Sequence, residues 1–304
     1  MKNRTLKRAR NFLFYILIQI LRGIVFLMPW RLCAKTGAIL GTAAFYLVKS
    51  ERGKIYKNLD FVHDGSIADA DKIKLAKENF KNYGIGFFEF AKFSTWPVEK
   101  VASLVKETEG WEYFEKAKQE KKSLIGVTCH ISNWELIPIY AAYHGINVGV
   151  IAKKLFDDRI DKAVNGTRSR ANVKVFDRDA NPREMIRELK SNGLMLGILV
   201  DQDTSVESII SPFLGKPAKT PTAPAVLAKR LNVVLCSLFI IRREDGYYKL
   251  IINKPYNIEE DSTETIVKKY NDDISAMINK YPSQWVWVHE RWRSTGYVKG
   301  ESKL

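Results

Sequence analysis

One histidine stands where a reactive group would be useful. The apolar run Leu124 to Thr128 predicts a short buried strand, and Cys129-His130 follows it at once. Ser132 and Asn133 then offer an N-cap for a helix from Trp134 to Tyr143. His130 is therefore predicted at the carboxyl end of a strand, where loops are exposed while the sheet beneath holds them still. Glu135 lies five residues on. Along one continuous helix such residues are about 140° off a common face, so they meet only if the histidine stays on the strand and the glutamate opens the helix. A carboxylate folded back in this way fixes the ring tautomer and stabilises the imidazolium. The pair then reads as a general base with its orienting partner. The spacing alone is common in unrelated chains. Pro138 costs the following helix a hydrogen bond unless that helix begins late.

Other residues carry chemistry of their own. Arg168 and Arg170, in Thr167-Arg168-Ser169-Arg170, occupy a stretch that reads as a loop or a helix end. They could clamp a phosphate or carboxylate by charge-assisted hydrogen bonds, or form a solvated basic patch. Asp201-Gln202-Asp203 follows the apolar strand Leu194 to Val200, so it and His130 are expected to line one crevice. The same Asp201/Asp203 pair also suits a divalent metal in a glycosyltransferase, or a simple loop cap. The segment Pro212 to Thr220 reads as a turn-rich loop before a helix capped at Thr220 or Thr222, shaping a pocket wall. Cys129 adjoins His130, but strand neighbours point to opposite faces, which makes it a buried core thiol. Glu89, between Phe88 and Phe90, is expected to be solvated or paired. His63, His144 and His289 show no partner spacing that speaks of catalysis.

The elements that must position these residues follow an alternating pattern. Strands are predicted at Leu124–Thr128, Val148–Ala152, Val173–Phe176, Leu194–Val200, Val233–Ile241 and Tyr247–Asn253. Helices are predicted from Trp134 and at Arg183–Ser191, Thr222–Asn232 and Glu264–Lys280, with an earlier one over 70–93. This is an α/β chain with a mostly parallel sheet flanked by helices. No repeat or linker forces a division of the main body, so the reading is a basic N-terminus with membrane-associated helices (1–48) and one domain (49–304).

Charge and composition bear on partners. The 304 residues are 46% hydrophobic and 27% charged, a globular balance, with a net charge of +15. Cys33, Cys129 and Cys236 are widely spaced, so neither a disulfide framework nor a zinc site is suggested, and a reducing compartment fits. Residues 1–60 hold twelve Lys and Arg against Glu51 and Asp60. Such a terminus suits nucleic acid or an anionic membrane, and the intervening residues favour membrane. Phe12 to Trp30 is almost continuously apolar, with Arg22 at its middle, an expensive place for a charge in a spanning helix. Tyr15, Gln19 and Arg22 form a narrow polar stripe, as in an interfacial helix or a tilted anchor with Arg22 facing protein. No small-residue cleavage site marks a signal peptide. Residues 37–48 form a second apolar helix rich in small residues, expected to pack on the first or extend the membrane face.

Taken in order, His130-Ile-Ser-Asn-Trp-Glu135, Arg168-Ser-Arg170, Asp201-Gln-Asp203, Pro212-Phe-Leu-Gly and Pro282-Ser-Gln-Trp285-Val-Trp287-Val-His289-Glu-Arg-Trp292 resemble the late acyltransferases of lipid A biosynthesis. These lauroyl and myristoyl transferases fall within the glycerolipid and lysophospholipid acyltransferase group, and the resemblance runs from the N-terminal anchor to Arg293. It implies a glycerolipid acyltransferase-like fold and an inner-membrane enzyme whose active site faces the cytoplasm. The implied reaction moves a fatty acyl chain from acyl carrier protein to a hydroxyl of a lipid A precursor, with no metal, no cofactor and no nucleic acid. By the same resemblance His130 is the general base and Glu135 its orienting acid. Arg168 or Arg170 matches the family's essential arginine, and Asp201 its DxD aspartate. A lysophospholipid or a phosphatidylinositol mannoside stays open as the acceptor.

Overall fold

Why the strands lie flat and deep is written in their composition. The computed structural model describes residues 15–16, 19–154, 158–191 and 193–296, with backbone alone at 158, 160, 163 and 164. The strands are β1 (Val105–Glu109), β2 (Leu124–Thr128), β3 (Asn147–Ala152), β4 (Lys174–Asp177), β5 (Leu194–Leu199), β6 (Ser208–Phe213), β7 (Lys216–Pro221), β8 (Val234–Arg242) and β9 (Tyr248–Ile252). Among the described residues seven of them form one sheet in the order β1-β9-β8-β2-β5-β3-β4. Every neighbouring pair in it is parallel except β8 with β9. β2, at the centre, is buried at all five positions, because helices cover both faces and leave no side for polar residues.

Those helices are α1 (Trp30–Leu47), α2 (Lys49–Val62), α3 (Asp69–Phe93), α4 (Val98–Ala102), α5 (Trp111–Gln119), α6 (Leu136–Tyr143), α7 (Asp158–Arg170), α8 (Arg183–Ser191), α9 (Ala223–Leu231) and α10 (Thr263–Lys280). Strand side chains alternate between two apolar cores. Ile125 and Val127 join Leu189 of α8, Ala225 and Ala228 of α9, and Ile266, Tyr270 and Ile274 of α10. Leu124 goes the other way, with Phe114 of α5 and Leu136, Ile137 and Ile139 of α6. The predicted fold class and the strand and helix pattern agree with this architecture.

Three differences have physical causes. β1 escapes detection because Val-Lys-Glu-Thr-Glu is mostly polar; it is an exposed edge strand whose Glu107 and Glu109 pair with Lys249. The Pro212 to Thr220 stretch is a hairpin rather than a loop. Pro212 and Pro217 face each other in it, tolerable only because a two-stranded ribbon has free edges for residues without an N–H. Leu214 and Gly215 make the turn, both at positive φ. Finally, the helix after His130 starts at Leu136, not Trp134, with no side-chain cap. Pro138 then falls in the first turn, where its missing N–H had no intrahelical partner to lose.

The N-terminal helices pack on the body through glycine. Gly37 and Gly41 of α1 cross Gly84 of α3 so closely that a Cβ on Gly37 would lie 2.5 Å from the Gly84 carbonyl oxygen. Residues 19–27 are helical and end on Lys92, which is buried and donates to the carbonyls of Val25, Phe26 and Met28. Arg22 turns toward protein, donating to Ser94 Oγ at 3.2 Å and to Gln19. Exposed apolar side chains concentrate in this part of the chain: Leu27 and Leu47 are each 80% exposed, and Ile24, Phe26, Ile39 and Leu40 are exposed too. No helix among the described residues is long and apolar enough to cross a membrane. Part of the predicted Phe12-to-Leu21 segment lies outside the described residues.

Candidate functional site

Register between neighbouring strands creates the central contact. Thr128 of β2 is the partner of Leu199 in β5, and the ladder continues through Val200 N–H to the Thr128 carbonyl. His130 and Asp201 therefore emerge side by side from the carboxyl end of the sheet. Asp201 Oδ1 lies 2.7 Å from His130 Nδ1, while Oδ2 accepts the His130 backbone N–H at 2.9 Å and the Trp285 indole N–H at 2.8 Å. Burial would raise the Asp201 carboxyl, but the charge of His130 and these hydrogen bonds hold it well below the usual carboxylate range. An ionised carboxylate on Nδ1 keeps the proton there and leaves Nε2 with a lone pair, as a base requires. The histidine side chain is 14% exposed and the aspartate 1%. Trp134 meets the imidazole edge-on, with ring centroids 4.8 Å apart.

The geometry sets Asp201, and not Glu135, against the His130 ring. Ser132 adopts φ 52° and gives its N–H to the Gln284 carbonyl, so the chain turns away before Glu135. The Glu135 carboxylate pairs with Arg168 instead, accepting from Nε at 2.9 Å and Nη2 at 2.5 Å. Arg168 also reaches Asn165. Arg168 sits at the end of α7, as the helix-end reading had it, but its guanidinium is engaged by protein. Arg170 points elsewhere and donates to the Phe93 carbonyl at 3.2 Å. The two arginines form no shared clamp. Asp201, expected to line one crevice with His130, is the histidine's hydrogen-bond partner. Asp203 accepts from Ser294 Oγ at 2.7 Å and lies 3.5 Å from Arg293 Nε. Among the described residues no three His, Cys, Asp or Glu side chains gather as they would around a metal ion. Cys129 is buried, and burial pushes its thiol far up.

The site's floor is completed by a segment that local patterns leave unassigned. Residues 285–289 run in irregular conformation across the end of β2. On one side Ile131 bridges Trp285, and Val286 N–H donates to the His130 carbonyl. On the other side two asparagines satisfy alternate carbonyls of the same strap. Asn79 of α3 donates to Ser283 and Trp285, and Asn58 of α2 donates to Trp287 and His289. Each residue of the Asp201-Gln202-Asp203 turn is held by this C-terminal stretch: Asp201 by Trp285, Gln202 by His289 and Arg291, Asp203 by Ser294. Arg291 is fully buried, stacked 4.7 Å over Phe213.

His289 is the site residue that spacing did not reveal. Its ring lies 4.8 Å from that of His130, tilted by 34°. Burial lowers its pKa to about 4, with the charge of His130 acting in the same direction. Nothing local announces it, since the partners of its side chain lie at least 87 positions away in sequence.

An apolar cavity of about 370 Å³ opens beside the histidine, lined by Tyr83, Phe87 and Phe90 of α3, Trp134, Val286 and Val288. Glu135, Arg242 and Tyr248 also face it. Glu89 lies fully buried behind, accepting from Arg242 Nε at 3.0 Å and from the Tyr248 hydroxyl. It is paired, one of the two states expected for it. Burial raises its pKa to about 7, with Arg242 and Tyr248 opposing.

Similarity to known proteins covers nearly the whole chain. The family model for bacterial lipid A biosynthesis acyltransferases matches residues 1–294. The lipid A biosynthesis lauroyltransferase of Escherichia coli (strain K12) is 25% identical over 275 residues, covering 89% of this chain and 88% of that protein. The lipid A biosynthesis palmitoleoyltransferase of the same strain is 23% identical over 291 residues, covering 91% and 89%. A lipid A biosynthesis acyltransferase of Haemophilus influenzae is 23% identical over 278 residues, covering 88% and 85%.

Proposed function

The chain belongs to the bacterial lipid A biosynthesis acyltransferase family, and from that premise we propose that it carries a fatty acyl chain from an acyl carrier protein thioester to a hydroxyl of a lipid A precursor. It is an acyltransferase. The observation that carries the finer reading is the His130–Asp201 pair standing beside an apolar cavity. An alcohol is a poor nucleophile near neutral pH, so a base must remove its proton as it attacks the thioester carbonyl. Nε2 of His130 takes that proton, Asp201 stabilises the imidazolium, and the same proton then goes to the departing thiolate. Arg168 holds Glu135, which lines the cavity. Arg170 is the candidate for the acceptor's anionic groups and Asp203 for its hydroxyls.

The cavity suits the acyl chain. Its walls are largely aromatic and aliphatic side chains, as an alkyl chain requires. Residues 1–48 form the membrane-associated part and 49–304 the acyltransferase body. The exposed apolar side chains of residues 20–47, among basic residues, suit the cytoplasmic side of an inner membrane. There a lipid acceptor reaches the site without leaving the bilayer. With both Asp201 oxygens engaged by His130 and Trp285, a metal-dependent glycosyltransferase is the poorer reading.

The test is transfer in detergent from labelled acyl carrier protein to a lipid A precursor bearing a free hydroxyl, with wild type compared with His130→Ala. Wild-type transfer lost in the folded variant supports the reading. Transfer surviving in the variant removes His130 from the mechanism. Transfer only to a lysophospholipid or a phosphatidylinositol mannoside would change the acceptor and keep the chemistry.

A further inference from the structure

We propose that Gln202 is a further catalytic residue, its side-chain amide donating to the reacting oxygens, and that His289 is the positioning residue that aims it. The inference rests on the acyl transfer proposed above. Gln202 is exposed between two carboxylates that point into the protein. Its amide nitrogen bonds Nδ1 of His289 and lies 3.5 Å from Nε2 of His130. One amide hydrogen serves His289, and the other has the long 3.5 Å approach to His130 Nε2, a contact that a substrate oxygen placed there would replace. An oxygen hydrogen-bonded to His130 Nε2 in that space also lies within reach of the Gln202 amide.

The arrangement is built before substrate arrives. Arg291 holds the Gln202 carbonyl at 3.3 Å, and Asn58 holds the His289 carbonyl at 2.9 Å. His289, whose pKa burial lowers, has an unprotonated nitrogen for the amide to meet. With Nδ1 of His289 as that nitrogen, the end of the amide that faces the rings is N–H rather than C=O. A fixed donor beside a developing negative charge is what an oxyanion site requires.

The step balances as follows. The acceptor O–H bond breaks, its proton passing to His130 Nε2 while the oxygen forms a bond to the thioester carbonyl carbon. The carbonyl π pair moves onto oxygen, and the Gln202 N–H donates a hydrogen bond to that oxyanion. Collapse restores C=O and breaks C–S, and the thiolate takes the proton from His130.

Purified full-length enzyme in detergent tests this with Gln202→Leu, Gln202→Glu, His289→Phe and the double variant Gln202→Leu/His289→Phe. Both Gln202 variants are expected to lose about 10²-fold in kcat, with KM for either substrate within about threefold. His289→Phe is expected to lose a similar factor, and the double variant to be no worse than Gln202→Leu alone. Gln202→Glu keeps the shape but not the donor, so it tests donation should the leucine variant fold poorly. A kcat within about threefold of wild type in the folded Gln202 variants would overturn the proposal, as would losses at Gln202 and His289 that multiply. Absence of transfer by the wild-type enzyme would instead overturn the underlying acyl-transfer reading, and this inference with it.

Discussion

His130 and Asp201 stand at one level of two neighbouring parallel strands, two residues beyond the register partners Thr128 and Leu199. Their contact is a consequence of sheet register rather than of a local turn. Asp201→Asn would keep the shape and offer the wrong tautomer to the base. Expected is a fall in kcat of about 10³ to 10⁴-fold, larger than for Glu135→Gln. Single-turnover acyl transfer measures both, and equal losses would return the orienting role to Glu135.

Glu135 and Arg168 are each little exposed and joined by two hydrogen bonds. Removing one partner strands the other's charge in a poorly hydrated place. Glu135→Gln and Arg168→Met are each expected to lower unfolding free energy by about 3 kcal/mol. The double variant should cost less than the sum of the two by more than about 1 kcal/mol. Denaturant titration of all four proteins gives the cycle, and simple additivity would show that the pair is not coupled.

Asn58 and Asn79 act on the site without touching it. Each supplies two hydrogen bonds to the strap that carries Trp285 and His289. Truncating Asn58 to alanine takes its donor from the Trp287 carbonyl, expected to cost about 2 to 3 kcal/mol. The carbonyls that Asn79 serves keep Asn82, Tyr83 and the Trp287 N–H, so Asn79→Ala is expected to cost less. Thermal unfolding should show it, with kcat falling alongside as the strap loosens. An Asn58 variant that unfolds at the wild-type temperature would mean that water replaces the amide.

Glu89 makes a pH-dependent contribution whose sign can be worked out. Its folded pKa of about 7 exceeds the ordinary 4.5, so the folded state holds a proton that the unfolded state has released. That stability is complete below pH 4.5 and is lost as pH rises through 7. Glu89→Gln cannot ionise. Its stability relative to wild type should improve by roughly 3 kcal/mol between pH 4.5 and 7.5. A difference that stays flat with pH would place the Glu89 pKa near its unfolded value.

Leu27 and Leu47 are exposed apolar side chains near the N-terminus. If they enter a bilayer, Leu27→Ser/Leu47→Ser should weaken co-sedimentation with anionic vesicles about tenfold or more, at about 1.5 kcal/mol or above per leucine side chain. Sedimentation equal to wild type would locate the membrane contact elsewhere.

Much of this was legible in the residues because it depends on local periodicity. Apolar runs such as Leu194 to Leu199 and the i, i+4 spacing of Ile266, Tyr270, Ile274 and Ile278 identify buried strands and helices without knowledge of their neighbours. His130 at a strand end, Asp201 at another, and a shared crevice followed from the same patterns. The pairings did not. His130 meets Asp201 across 71 positions, Arg168 meets Glu135 across 33, and Gln202 meets His289 across 87. A carboxylate five residues away was the nearest candidate in sequence, yet a left-handed turn at Ser132 carried it off while strand register delivered another. Elements are determined by the chain's own spacing. Which side chains touch is decided by strand order and register, since these alone bring distant positions within a hydrogen bond's length.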